Sequence, residues 1–242
     1  MSDHDRWRPF SRREWLKRVT AAGAAAAVPA RMFLPIVEAP ADAPPEATQA
    51  AAGARIREPL ETLTAAESET LEAIAARLIP TDANGPGARE ARAAHYIDRA
   101  LGSALASFRE AYRSGLASVD RHAQTVRNAP FAKLSPLDQD EVLRDIERNV
   151  ASGFAPPAST FFNLVLAHTI QGTFCDPFYG GNANFVGWDL IGYPGVRLAV
   201  STGEQRLNAR PTPTHRSAYD YSMFAGKRPA RARLDQGGHH GD

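Results

Sequence analysis

Recognisable chemistry is scarce in this sequence. Its 242 residues hold one cysteine, so no cysteine pair is present to carry a metal or a cluster. No glycine-rich nucleotide fingerprint follows a strand, no phosphate loop occurs, and no serine sits in a nucleophile elbow. The seven histidines include no His-Glu-x-x-His pair, and His239-His240 lie in a polar, glycine-flanked tail where stray metal binding carries little meaning. No run alternates with period two for long enough to make a strand, and no internal repeat is visible. Beyond the N-terminal region, no stretch reaches the roughly 20 apolar residues of a membrane-spanning helix. A self-contained active site is therefore not legible, and the information lies elsewhere.

The first such place is the N-terminus. Ser11-Arg12-Arg13-Glu14-Trp15-Leu16-Lys17 precedes a short, alanine-rich apolar stretch from Val19 to Ala30. A basic region, a weakly apolar segment and then small residues form the arrangement of a removable signal. The arginine pair, with Ser11 before it and Trp15, Leu16 and Lys17 after it, marks the twin-arginine type; Trp15 stands where phenylalanine is usual. Val28-Pro29-Ala30 and Ala39-Pro40-Ala41 are candidate cleavage sites. Export by the twin-arginine translocase moves proteins that are already folded, so the expected destination is the periplasm.

Six of the 28 basic and three of the 27 acidic side chains fall in residues 1–30, leaving 22 against 24. A net charge of −2 argues against nucleic acid as a partner. Residues 31–59 read as a linker, within which Glu38–Pro59 is Ala/Pro-rich and has too few large apolar side chains to order itself. Residues 60–205 are long enough for one domain with a sizeable core. Residues 206–242 are expected to be an extended basic tail, largely disordered after 227. Residues 206–233 carry seven basic groups and one acid, so tail and body differ in sign.

From Leu60 onward the periodicity is helical. Thr64 and Glu67 make a capping box, after which Leu71, Ile74, Ala75 and Leu78 share one face until Pro80 stops the helix. Residues 81–87 read as a turn. Asp82, Asn84 and Gly87 match three positions of a calcium loop, but Ala93 stands where a bidentate Glu is required. A second helix is expected from near Ala88, and a third from Leu105, Phe108, Tyr112, Leu116 and Val119. Ser135 caps a fourth, with Pro136 in its first turn and Val142, Leu143 and Ile146 inward. A fifth, capped by Ser159 or Thr160, is apolar nearly all round and so is expected at the centre. The fold class is mostly α: an irregular bundle of about five helices with a long aromatic, glycine-rich loop and an extended C-terminal tail.

That loop, residues 168–195, holds seven aromatic rings if His168 is counted, six glycines and two prolines. Gly180-Gly181-Asn182 and Tyr193-Pro194-Gly195 are turn sequences that use positive φ. Phe174, Cys175, Asp176, Tyr179, Trp188 and Tyr193 are the candidate partner contacts of the loop. Tyr219 and Tyr221, with Phe224, are those of the tail. The same rings can also fold over the domain's own core, and the two roles are compatible. Cys175, alone in an exported chain, reads either as an intersubunit disulfide or as an inert buried thiol. His168 reads as a core histidine satisfied by a backbone carbonyl, or as a catalytic or metal-binding group.

Residues 60–224 resemble the small subunit, or subunit 3, of the gluconate 2-dehydrogenase family. The matching elements are Leu78-Ile79-Pro80-Thr81-Asp82, His168-Thr169-x-Gln171-Gly172, Asp176-Pro177-x-Tyr179-Gly180-Gly181-Asn182, Gly187-Trp188 and Ile191-Gly192-Tyr193-Pro194-Gly195. Ser217-Ala218-Tyr219-Asp220-Tyr221 and Met223-Phe224 extend it. The resemblance implies a companion without flavin or haem of its own. Its partners would be a large FAD-containing subunit and a c-type cytochrome subunit that holds the haem. It also implies attachment to the inner membrane through the complex, and a signal supplied on behalf of the flavin subunit. A stand-alone periplasmic enzyme using His168 with Asp176 or Asp82, and a transient export chaperone, are the alternatives.

Overall fold

The computed structural model describes residues 60–225. The signal, the linker and the tail beyond Ala225 lie outside the described residues. Within them the chain is helical and contains no strand. Five helices make the body: α1 (Ala65–Leu78), α2 (Ala93–Leu101), α3 (Arg109–Arg127), α4 (Pro136–Glu147) and α5 (Ala158–Phe174). Two short ones follow, α6 (Val186–Ile191) and α7 (Ser222–Ala225).

The expected start signals hold for α1 and α4. Thr64 and Glu67 cap each other reciprocally at the head of α1, and Leu71, Ile74, Ala75 and Leu78 are buried. At the head of α4 the Ser135 side chain accepts from the Asp138 backbone N–H, with Pro136 in the first turn. Val142, Leu143 and Ile146 face inward as expected.

Three expectations need correction. First, α2 begins at Ala93, not near Ala88, because Gly87–Arg92 is spent on a turn folded beneath the end of α1. There the Ala88 N–H donates to the Ile79 carbonyl, and Arg92 turns left-handed at φ 58°. A side chain at Gly87 would put its Cβ 2.2 Å from that same carbonyl. Second, Leu105 and Phe108 precede α3, in a short 3-10 turn at Ala106–Phe108, while Tyr112, Leu116 and Val119 are buried on α3 as expected. Third, neither Ser159 nor Thr160 caps α5. The helix starts at Ala158 behind Pro157 with no side-chain cap, since the fixed φ of proline already orients the first turn.

Helix α5 is central, packing on α1, α2, α3 and α4. Close approach is built in at two glycines. A Cβ on Gly115 of α3 would fall 2.3 Å from the Phe161 ring, and one on Gly172 would fall 2.9 Å from the Ala93 backbone of α2. Buried carboxylates tie the helices together. Asp98 of α2 accepts the backbone N–H groups of Glu61, Thr62 and Leu63 at 2.7–3.0 Å, fixing where the chain joins the bundle. Asp140 of α4 holds Arg77 of α1 in a two-pronged pair at 2.7 and 2.8 Å. Such bidentate, charge-assisted bonds are the strong kind.

Candidate functional site

The last carbonyls of a helix have no partner inside it. For α5 the partners come from the loop that follows. The loop itself is shorter than the sequence suggests, because residues 168–174 are the last two turns of α5 and residues 186–191 form α6. The chain leaves Cys175, makes a 3-10 turn at Pro177–Tyr179, and returns through Gly180, Gly181 and Asn182 across the end of the helix.

Asn182 is the hub of that return. It is fully buried and left-handed at φ 43°, a conformation asparagine adopts more readily than other side-chain-bearing residues. Its backbone N–H donates to the Gly172 carbonyl at 2.8 Å. Its side-chain amide donates to the Cys175 carbonyl at 2.8 Å, and its side-chain oxygen accepts from the Gly187 N–H at 2.8 Å and more weakly from the Trp188 N–H at 3.4 Å. The buried Trp188 indole completes the cap by donating to the Phe174 carbonyl at 3.0 Å. The backbones run so close that a Cβ on Gly181 would sit 2.1 Å from the Gly172 carbonyl oxygen, and one on Gly187 1.9 Å from that of Thr173. Gly180 and Gly195 do carry the positive φ expected of them; Gly181 is there for proximity instead. Gly181 and Gly187 are thus explained by contact with the end of α5.

The tail closes over this cap. Asp176 accepts from the Phe178 N–H, the Ser217 hydroxyl and the Ala218 N–H at 2.7–3.0 Å. Ser217 and Asp220 form a second capping box, which places Tyr219. The Tyr219 ring stacks on Phe178 with centroids 3.8 Å apart, and its hydroxyl lies 2.7 Å from that of Tyr179. That shared hydrogen bond pushes the Tyr179 phenol up to about 12. The Tyr221 hydroxyl donates to the Val196 carbonyl at 2.7 Å, and His215 stacks on Phe185 while meeting Asp189 at 2.7 Å.

Of the two roles left open for the aromatic loop, packing within the chain accounts for Trp188, Asp176, Tyr219 and Tyr221. The outward-facing rings are Tyr179 and Tyr193. Cys175 is largely buried and burial raises its thiol to about 11, the character of an unreactive cysteine; its Sγ points at the Gly172 carbonyl at 3.7 Å. His168 is buried, but its partner is a side chain and not a carbonyl. Nδ1 lies 3.0 Å from the Tyr112 hydroxyl, with Phe108 edge-on to the ring. The surroundings push the His168 pKa down through burial and the Tyr112 pKa up for the same reason.

His168, Asp176 and Asp82 belong to three separate hydrogen-bond networks. Asp82 sits in its own turn, exchanging backbone hydrogen bonds with Gly85 and accepting the Asn84 N–H. Among the described residues, no group of three or more His, Cys, Asp or Glu is placed to hold a metal ion. The sequence placed Asn182 in a turn and Tyr219 and Tyr221 among the partner contacts, and gave neither set its role in capping and closing over the end of α5. Asn directly after two glycines and the Ser217–Asp220 spacing were the signals available for them.

A family model described as gluconate 2-dehydrogenase subunit 3 matches residues 65–195, more than half of the chain. No curated protein and no solved structure matches it.

Proposed function

Because the chain belongs to the gluconate 2-dehydrogenase subunit 3 family, a family of dehydrogenase-complex subunits, we propose that it is the non-catalytic small subunit of a periplasmic, membrane-associated, FAD-dependent sugar or alcohol dehydrogenase. In this reading it stabilises the flavin-containing large subunit and supplies that subunit's twin-arginine export signal. A c-type cytochrome subunit takes the electrons. The observation that carries the proposal is the family match, which spans the α1–α5 bundle together with the loop that caps α5. The motif residues Gly172, Asp176, Gly181, Asn182, Gly187 and Trp188 are all used to build that one end of the molecule, as a docking scaffold requires. The Ser11–Lys17 sequence supports the export half, since a flavoprotein folds around its cofactor before it is moved.

The experiment is the pair of substitutions Arg12→Lys and Arg13→Lys in a strain that expresses the whole complex. The flavin subunit is followed by its absorbance and by dehydrogenase activity in periplasmic and cytoplasmic fractions. Both proteins should remain in the cytoplasm. Normal export of the flavin subunit beside a retained small subunit would refute the shared signal.

A further inference from the structure

The contacts that close the tail over the end of α5 have the form of a bound peptide. Residues 214–221 are held at Asp176, Phe178, Tyr179, Asp189, Pro194 and Val196, positions that all lie between the end of α5 and the turn at Gly195 or one residue past it. Recognition is spread over side chains at alternate positions. The Ser217 hydroxyl and the Ala218 N–H donate one to each oxygen of Asp176, at 2.7 and 2.8 Å. Tyr219 stacks on Phe178 with centroids 3.8 Å apart and stands edge-on to Tyr179. Tyr221 reaches the Val196 carbonyl. Ser217 is buried and both tyrosines are half-buried, whereas Thr214, His215, Arg216 and Asp220 are exposed.

Both halves of this contact are shaped on their own. The site belongs to the cap that Asn182 and Trp188 fix to α5, and apart from Val196 it lies inside the family match. The occupying segment lies beyond that match and sets its own conformation. Ser217 and Asp220 cap each other, and the Ser217 hydroxyl accepts the Tyr219 N–H. A ligand whose shape is made internally loses little freedom on binding. The tether between them, residues 197–213, is mostly exposed and forms no helix or strand. Among the described residues, the hydrophobic core cluster draws on nothing beyond Leu166, so the segment can leave without uncovering it. Parts of a protein with few buried apolar contacts open locally at low free-energy cost, while the core stays folded.

We propose that the capped end of α5 is a peptide-binding site, filled in this structure by the chain's own residues 214–221, which leave and return as a unit. Its ligand class is a peptide of the form Ser-x-Tyr-x-Tyr. Such a peptide offers a hydroxyl and the next N–H to the Asp176 carboxylate, a ring to Phe178 and a second phenol to the Val196 carbonyl. The tether holds the attached segment at a roughly millimolar local concentration. The filled site is therefore the resting state, and a competing peptide must displace the segment. Displacement frees both oxygens of Asp176 and one face of Phe178 together, and it does so whichever complex the chain joins.

The test keeps the full chain and cuts it after folding. A protease recognition sequence is inserted between Leu207 and Asn208, both exposed. The nicked protein is then passed over a sizing column with and without a synthetic peptide of residues 214–225. The tail fragment should stay with the body when the tether is cut, and excess peptide should drive it off, with labelled peptide taking its place. A peptide carrying Tyr219→Leu, which loses the ring stack and the shared hydroxyl bond, should compete roughly tenfold less well. Asp176→Asn in the body should release the fragment roughly tenfold faster, with the melting curve of the nicked protein showing that the body is folded. The peptide variants leave the folding of the body untouched. A fragment lost as soon as the chain is cut, or one that no excess of peptide displaces, would overturn the separable site. A Tyr219→Leu peptide that competes as well as the native one would overturn it too.

Discussion

Asn182 is the most informative single residue to change. In Asn182→Ala the Cys175 carbonyl, which is partly buried, and the Gly187 N–H, which is buried, each lose a partner at 2.8 Å, beside a residue that is itself fully buried. Orphaning a buried polar group costs roughly 1–3 kcal/mol. Holding alanine at φ 43° adds about 1 kcal/mol, because its Cβ crowds the backbone where glycine's hydrogen does not. The sum is about 3–7 kcal/mol, and at about 2–4 °C per kcal/mol for a chain of this size the midpoint should fall by on the order of 10–20 °C. Thermal and urea denaturation followed by circular dichroism measure it, with hydrogen exchange at the Gly187 amide as a local reporter. Asn182→Gly separates the two causes. It relieves the backbone strain and leaves the orphaned groups, so it should regain only about 1 kcal/mol. A glycine variant as stable as the wild type would refute the claim that the side-chain amide holds the loop to the end of α5.

Two further substitutions probe α5 itself. Burial holds the His168 pKa below the ordinary histidine value, so below about pH 6.5 the unfolded chain takes up a proton that the folded chain refuses. Its contribution to stability is therefore complete above about pH 6.5 and declines as pH falls towards the folded pKa, by at most about 1.4 kcal/mol per pH unit; urea midpoints from pH 7.5 to 5 should show this slope, and His168→Asn, which keeps an acceptor for the Tyr112 hydroxyl, should flatten it. The Thr169 hydroxyl is buried without a hydrogen-bond partner among the described residues, so Thr169→Val, close in shape and free of the unmet group, should be neutral or stabilising by up to about 1–2 kcal/mol. A clear loss of stability in the valine variant would mean that the hydroxyl has a partner.

The parts of the fold that were legible are those fixed by local chemistry. The Thr64 and Ser135 caps, and the 3.6-residue spacing of Leu71, Ile74 and Leu78, act within a few residues and need no knowledge of the rest of the chain. The head of α2 was misplaced because Arg92 is left-handed only in response to the turn folded under Ile79, a contact made across the α1–α2 junction. The end of α5 was misplaced for a related reason. Gly172 weakens a helix by propensity, and its presence there is explained only by the Ala93 backbone lying against it. At the candidate site the motif glycines and aromatics were visible and their partners were not. Asp176 meets Ser217 across 41 positions of sequence, and His168 meets Tyr112 across 56; no periodicity encodes a pairing at that range.

That long separation has a consequence for the order of assembly. Neighbouring pairs such as α1 with α2 and α4 with α5 form at small loop-closure cost, whereas α5 also packs on α1, α2 and α3 across long separations in sequence. The cap on α5 needs Asn182 and Trp188, and its closure needs Ser217, Tyr219 and Tyr221 from near the end of the chain. Residues 197–213 lie between those two sets, and the Thr214–Pro194 and Val196–Arg216 hydrogen bonds join the chain on either side of them. The closed end of α5 is therefore complete only when residues near the end of the described chain have docked on Asp176 and Phe178.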